Sequence, residues 1–127
     1  MNSWYSTLTK PPLTPPPSYF PVAWGILYSL MTIAFFIVMS KPHSNTKYIA
    51  INLFIVQLIL NFTWSYVFFE LKSISLGLLD IIFLLIFLIY TVIYFFKISK
   101  PAGILLIPYL LQVIFALYLN LGIAIVN

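Results

Sequence analysis

Scattered charges cut this chain into four long stretches that are almost uncharged, and no other feature limits its fold so tightly. Ser18–Ser40 carries no charge and ends at Lys41; Tyr48–Phe69 carries none and ends at Glu70-Leu71-Lys72. Ser73–Phe96 holds a single ionisable group, Asp80, and Ala102–Val126 follows the Lys97–Pro101 segment without another. Each stretch exceeds the roughly 20 residues that an α-helix needs to cross the hydrocarbon core of a bilayer. A barrel strand would alternate polar and apolar residues over about 10 positions, and these stretches do not alternate. The expected fold is therefore all-α: an integral membrane protein with transmembrane helices at about 18–40, 48–69, 73–96 and 102–126. Together they make one membrane domain over residues 1–127. Composition points the same way, with 63 % hydrophobic and 6 % charged residues, against about 25 % charged in an ordinary soluble chain. Six lysines and two carboxylates are too few to build a water-facing surface.

The lysines stand singly and there is no arginine. Nucleic-acid binding calls for a clustered basic face, so no nucleic-acid partner is expected, and the lysines read as helix-end anchors that reach the headgroups. Lys41, Lys47, Lys97 and Lys100 lie on one side of the four-span topology and Lys10 and Lys72 on the other. The positive-inside bias then puts the Lys41 and Lys97 loops in the cytoplasm and both termini outside. The chain has no cysteine, which removes disulfide and thiolate chemistry. Met1–Tyr5 has no basic segment leading into an apolar one, so no cleavable signal is expected.

Residues 1–17 differ from the rest. The run Lys10-Pro11-Pro12-Leu13-Thr14-Pro15-Pro16-Pro17 cannot be helical, because proline removes backbone donors and restricts the residue before it. A polyproline linker is one reading. The other is a segment lying over the membrane surface, favoured by the flanking Trp4, Tyr5, Tyr19 and Phe20.

A polar group inside a membrane is a functional candidate by default, since hydrocarbon penalises it unless it is paired. Gln57, Asn61, Asp80, Gln112 and Asn120 are the candidates. With a rise of about 1.5 Å per residue, Trp24, Asn61, Trp64, Asp80 and Asn120 all fall in the outer half, beneath the Pro-rich segment. Gln57, Asn61, Trp64 and Phe68 share one helical face by spacing, as do Trp24, Tyr28, Met31 and Phe35. Ser73, Gly77 and Asp80 share another, and Tyr109, Gln112, Ala116 and Asn120 a fourth. These stripes read either as interhelical hydrogen-bonding glue or as the wall of a ligand pocket with an aromatic lining. Asp80 needs a partner or a water path in either case, and the nearest candidates by depth are the Asn61 amide, Lys10 and Lys72. His43, the one histidine, lies in a loop, so an axial haem ligand in the pocket is not expected, nor is a metal site.

Several blocks of sequence together resemble the translocator protein / tryptophan-rich sensory protein (TspO/MBR) family. They are Trp4-Tyr5 with Leu8, Lys10-Pro11 and Pro15-Pro16; Phe20-Pro21-Val22-Ala23-Trp24 with Leu27-Tyr28 and Met31; Gln57, Asn61, Trp64 and Phe68-Phe69; Asp80; and Pro108-Tyr109-Leu110 with Phe115-Ala116 and Leu119-Asn120. The resemblance implies a helical homodimer that binds porphyrins, other tetrapyrroles, sterols or aromatic ligands in a pocket beneath the Pro-rich loop. On it, Trp24, Tyr28, Asn61, Trp64, Phe68, Gln112, Ala116 and Leu119 would contact the ligand. Trp4, Lys10, Pro11, Pro15 and Pro16 would form the lid, with Asp80 and Asn120 as structural polar groups. A metal-free, protoporphyrin-like molecule is the implied ligand and no covalent cofactor is expected. The family pattern has five helices, so its first would precede Trp4. It also has a tryptophan where this chain has Gln112, so the light-driven porphyrin breakdown attributed to some members is not expected, and no other enzymatic constellation is present. The rival reading is a small proton-coupled multidrug exporter using Asp80.

Overall fold

A computed structural model describes residues 19–67 and 74–126. Four α-helices account for nearly all of them: α1 (Tyr19–Met39), α2 (Asn45–Ser65), α3 (Ile74–Ile98) and α4 (Lys100–Val126). All four are long and apolar enough to cross a membrane, and the chain is a multi-pass membrane protein. Several Ser and Thr hydroxyls are satisfied within their own helices, as hydrocarbon favours. Ser29, Thr32, Thr63 and Thr91 each donate to the carbonyl four residues back at 2.7–2.9 Å.

Two boundaries differ from the sequence expectation, for identifiable reasons. The second helix begins at Asn45 rather than 48, because Ser44 caps it: the Ser44 Oγ accepts from the Lys47 backbone N–H at 3.1 Å. The loop expected at Lys97–Pro101 contracts to Ser99. The Ser99 N–H still bonds the Phe95 carbonyl, while Pro101, lacking a donor, sits in the first turn of α4, where none is required.

Buried residues recur with a 3.5-residue period on every helix. On α1 they are Leu27, Met31, Ala34 and Val38; on α2, Ala50, Phe54, Gln57, Asn61 and Trp64. On α3 the line is Gly77, Ile81, Leu84, Leu88, Thr91 and Phe95, with Val92 beside it, and on α4 Ala102, Leu106, Tyr109, Val113, Ala116, Asn120 and Ile123, with Gln112 and Leu119 beside it. This heptad spacing is the knobs-into-holes pattern of bundled helices. The opposite faces present Ile, Leu and Phe outward, which in lipid carries no penalty.

The helices form an open arc. α3 packs extensively on both α2 and α4, α1 packs on α4, and α1 and α2 touch only slightly. Sequence neighbours though they are, α1 and α2 meet mainly through rings, Phe35 against Phe54 at 5.0 Å and Tyr28 against Phe62 at 6.0 Å. The seam between them is looser than the α2–α3, α3–α4 and α1–α4 joints.

Candidate functional site

Three helices converge on Asn61. Tyr28 on α1 donates its hydroxyl to Asn61 Oδ1 at 2.5 Å. Asn61 Nδ2 donates to the Tyr109 hydroxyl of α4 at 2.7 Å, and Tyr109 donates onward to Gln57 Oε1 at 2.7 Å. The result is a one-way relay, Tyr28 to Asn61 to Tyr109 to Gln57, and Asn61, Tyr109 and Gln57 are all essentially inaccessible. Gln57 and Asn61 are one helical turn apart on α2, which lets both reach the same tyrosine. One turn further along, Trp64 Nε1 donates to Asn120 Oδ1 at 3.0 Å. Asn120 Nδ2 then bonds the Ile74 carbonyl at 3.0 Å, tying α4 to the start of α3.

An aromatic layer lies against the relay. The Trp24 ring stacks on Tyr28 at 5.8 Å and meets Tyr109 edge-on at 6.1 Å. Beyond Tyr28 a cavity of about 430 Å³ opens along the α1–α2 seam, lined by Tyr28, Met31, Phe35 and Phe36 from one helix and Phe54 and Phe62 among those from the other. Its size falls in the usual range for small-molecule sites. Tyr28 belongs to both features, one face on the cavity and its hydroxyl on the relay.

The residues expected at the site are distributed as follows. Asn61, Trp64, Gln112, Ala116 and Leu119 are all buried, and Asn61 and Trp64 reach from α2 to Tyr109 and Asn120 of α4. Trp24 and Tyr28 are half-buried on α1. The stripe read along α1, Trp24, Tyr28, Met31 and Phe35, faces the relay and the cavity, and the buried line Leu27, Met31, Ala34 and Val38 lies about one position beside it, where α1 packs on α4. The pairing expected between Asp80 and the Asn61 amide does not form, because both ends of that amide are engaged by tyrosines. Asp80 is half-buried, and its Oδ2 has no hydrogen-bond partner among the described residues. Trp4, Lys10, Pro11, Pro15, Pro16, Phe68, Lys72 and Ser73 lie outside the described residues. Gln57 and Tyr109 stood on the polar stripes but not among the expected ligand contacts, and they prove central. Phe35 stood on the α1 stripe read as a possible pocket wall and does line the cavity, whereas Phe36, Phe54 and Phe62 were not foreseen, as nothing polar marks them in a Phe-rich sequence. Among the described residues no three His, Asp or Glu side chains come together as metal ligands.

The profile of the TspO/MBR family matches residues 1–126. The tryptophan-rich protein TspO of Chlorobaculum tepidum is 43 % identical over 127 residues, covering 98 % of this chain and 80 % of the relative. The tryptophan-rich sensory protein of Cereibacter sphaeroides is 34 % identical, covering 94 % of this chain and 73 % of the relative. The translocator protein of Bos taurus is 32 % identical, covering 92 % and 70 %. The exporter alternative built on Asp80 finds no support in these names, which are those of sensory and translocator proteins rather than enzymes.

Proposed function

The chain belongs to the TspO/MBR family, and on that premise we propose that it is a membrane receptor for a flat, largely apolar ligand of the porphyrin or sterol-like aromatic kind. The observation that carries this reading is the continuity between an apolar aromatic cavity and a buried polar relay, joined at Tyr28. An aromatic wall holds a planar ligand by area and stacking, and a few convergent polar groups orient its polar edge.

In the state described here both ends of the Asn61 amide and both tyrosine hydroxyls are engaged within the relay. A ligand reaching Asn61, Trp64, Gln112, Ala116 and Leu119 must therefore part α1 from α2, exchanging the Tyr28–Asn61 bond for one of its own. The slight contact between these helices makes that the least costly place to open. Residues 4–17 act as the lid in this reading. The protein works as a homodimer in a bacterial plasma membrane, with the Lys41 and Lys97 loops in the cytoplasm and the termini outside, and it does not catalyse rapid porphyrin breakdown.

The test is a titration of the purified protein in lipid nanodiscs with protoporphyrin, read by tryptophan emission. Saturable quenching at a fixed stoichiometry is expected. Quenching that rises without saturating, as for simple partition into lipid, would remove the receptor reading.

A further inference from the structure

Four of the six lysines gather at one end of the bundle. Lys41 follows α1, Lys47 lies in the first turn of α2, Lys97 in the last turn of α3, and Lys100 opens α4. Neither of the chain's two carboxylates, Glu70 and Asp80, belongs to the loops at this end. The cations therefore face no neutralising group of their own there.

They also do more than fringe the helix ends. Lys41, Pro42, His43, Ser44 and Thr46 from the α1–α2 loop enclose, with Lys97 and Ile98 of α3, a cavity of about 370 Å³. Lys47 is committed to the fold: its ammonium donates to the Met39 and Lys41 carbonyls at 3.0 and 2.8 Å, closing the end of α1 and fixing the loop. Lys97 is held with its ammonium 4.6 Å from the centre of the Tyr94 ring. The loop is thus pinned by one lysine, and two others, Lys41 from the loop and Lys97 from α3, line the cavity.

Below Lys97 an exposed apolar stripe descends α3 through Ile93, Tyr90 and Ile86, spaced i, i−4, i−7 and i−11. A polar, cationic cavity at the membrane surface, continued by a lipid-facing apolar stripe, matches the two halves of one molecule. We propose that this cavity binds the phosphodiester headgroup of an anionic phospholipid, with Lys41 and Lys97 as the phosphate contacts and an acyl chain along Ile93, Tyr90 and Ile86. Basic pockets between helix ends are the usual form of such sites. The ammonium groups supply charge, and the Ser44 and Thr46 hydroxyls supply further donors for the phosphate oxygens. This proposal does not depend on the receptor reading and concerns a separate cavity that shares none of its lining residues.

The test is native mass spectrometry of the full chain released from micelles containing equal amounts of phosphatidylglycerol and phosphatidylcholine with matched chains. Phosphatidylglycerol should be retained roughly fivefold more often. The preference should vanish in the Lys41→Gln/Lys97→Gln variant and persist in Lys10→Gln/Lys72→Gln, which removes the same charge from the other side. Equal retention of the two lipids by the unaltered protein would overturn the proposal, as would a preference that survives the first variant. Excess glycerol 1-phosphate separates the two sources of phosphate. No effect supports the lipid, whereas displacement of phosphatidylglycerol would assign the cavity to a soluble phosphate and overturn the lipid assignment.

Discussion

Asn61 divides one amide between two helices, accepting from α1 and donating to α4. In hydrocarbon no water replaces a lost partner, yet measured interhelical hydrogen bonds average only about 0.6 kcal/mol with a maximum near 1.7. Asn61→Ala removes two such bonds and leaves Tyr28 unpartnered, so it should destabilise the bundle by about 1–2 kcal/mol in reversible detergent unfolding. Tyr28→Phe removes only the α1 bond and should cost about half as much. Equal losses in the two variants would mean that Asn61 does not join both helices. Gln112 occupies a tight position on α4, 7 % exposed. Gln112→Trp forces an indole into that space and should cost about 1–3 kcal/mol. If paired indoles carry the light-driven chemistry, the same variant should bleach protoporphyrin faster under illumination than the parent, which absorbance at the porphyrin band would follow. The candidate residues that could be read from the sequence were those whose polarity stands out against an apolar helix: Gln57, Asn61, Trp64 and Asn120. The Phe-lined cavity could not be read that way, because a phenylalanine facing lipid, core or cavity looks the same in sequence.

Helix identity was legible because charges end each span, and length alone then distinguishes a crossing helix from anything shorter. The ends were less so. Ser44 reads equally well as loop or cap until its hydroxyl is seen on the Lys47 N–H, and one residue, Ser99, replaces an expected loop. Which face turns inward was legible on α2 and α4, where amides mark it, while on α1 the aromatic stripe turns to the relay and cavity and the fully buried line runs about one position beside it, with Met31 on both. The α3–α4 joint has a requirement of its own. Gly103 lies under the Phe96 ring, and a Cβ there would come within 2.5 Å of ring carbons. Gly103→Ala should therefore destabilise despite a helix-propensity gain of up to about 1 kcal/mol. In a Phe96→Ala background the clash is gone and the same change should stabilise by that gain. A double-mutant cycle in detergent unfolding measures the difference, and additive effects would show that the ring does not constrain the joint.

At the scale of the molecule, the arc leaves α1 and α2 loosely joined, with their aromatic seam open to the bilayer. An exposed, shaped seam favours self-association, and two-fold dimers are the commonest closed assembly. Light scattering in mild detergent should give the mass of two chains of 14.6 kDa plus bound detergent; a stable single chain would place the seam against lipid instead. Ligand binding is the use proposed for the same seam, with the relay as its polar floor. The most direct measurement is the ratio of protoporphyrin dissociation constants for Asn61→Ala and the parent in nanodiscs, with Thr91→Ala as a control. Thr91 is buried on α3, and its hydroxyl bonds only its own helix, at the Phe87 carbonyl. Losing a ligand bond to a buried amide should weaken binding about fivefold or more in Asn61→Ala and leave Thr91→Ala unchanged. Identical affinities in the parent and Asn61→Ala would contradict the assignment of the relay as the floor of the site.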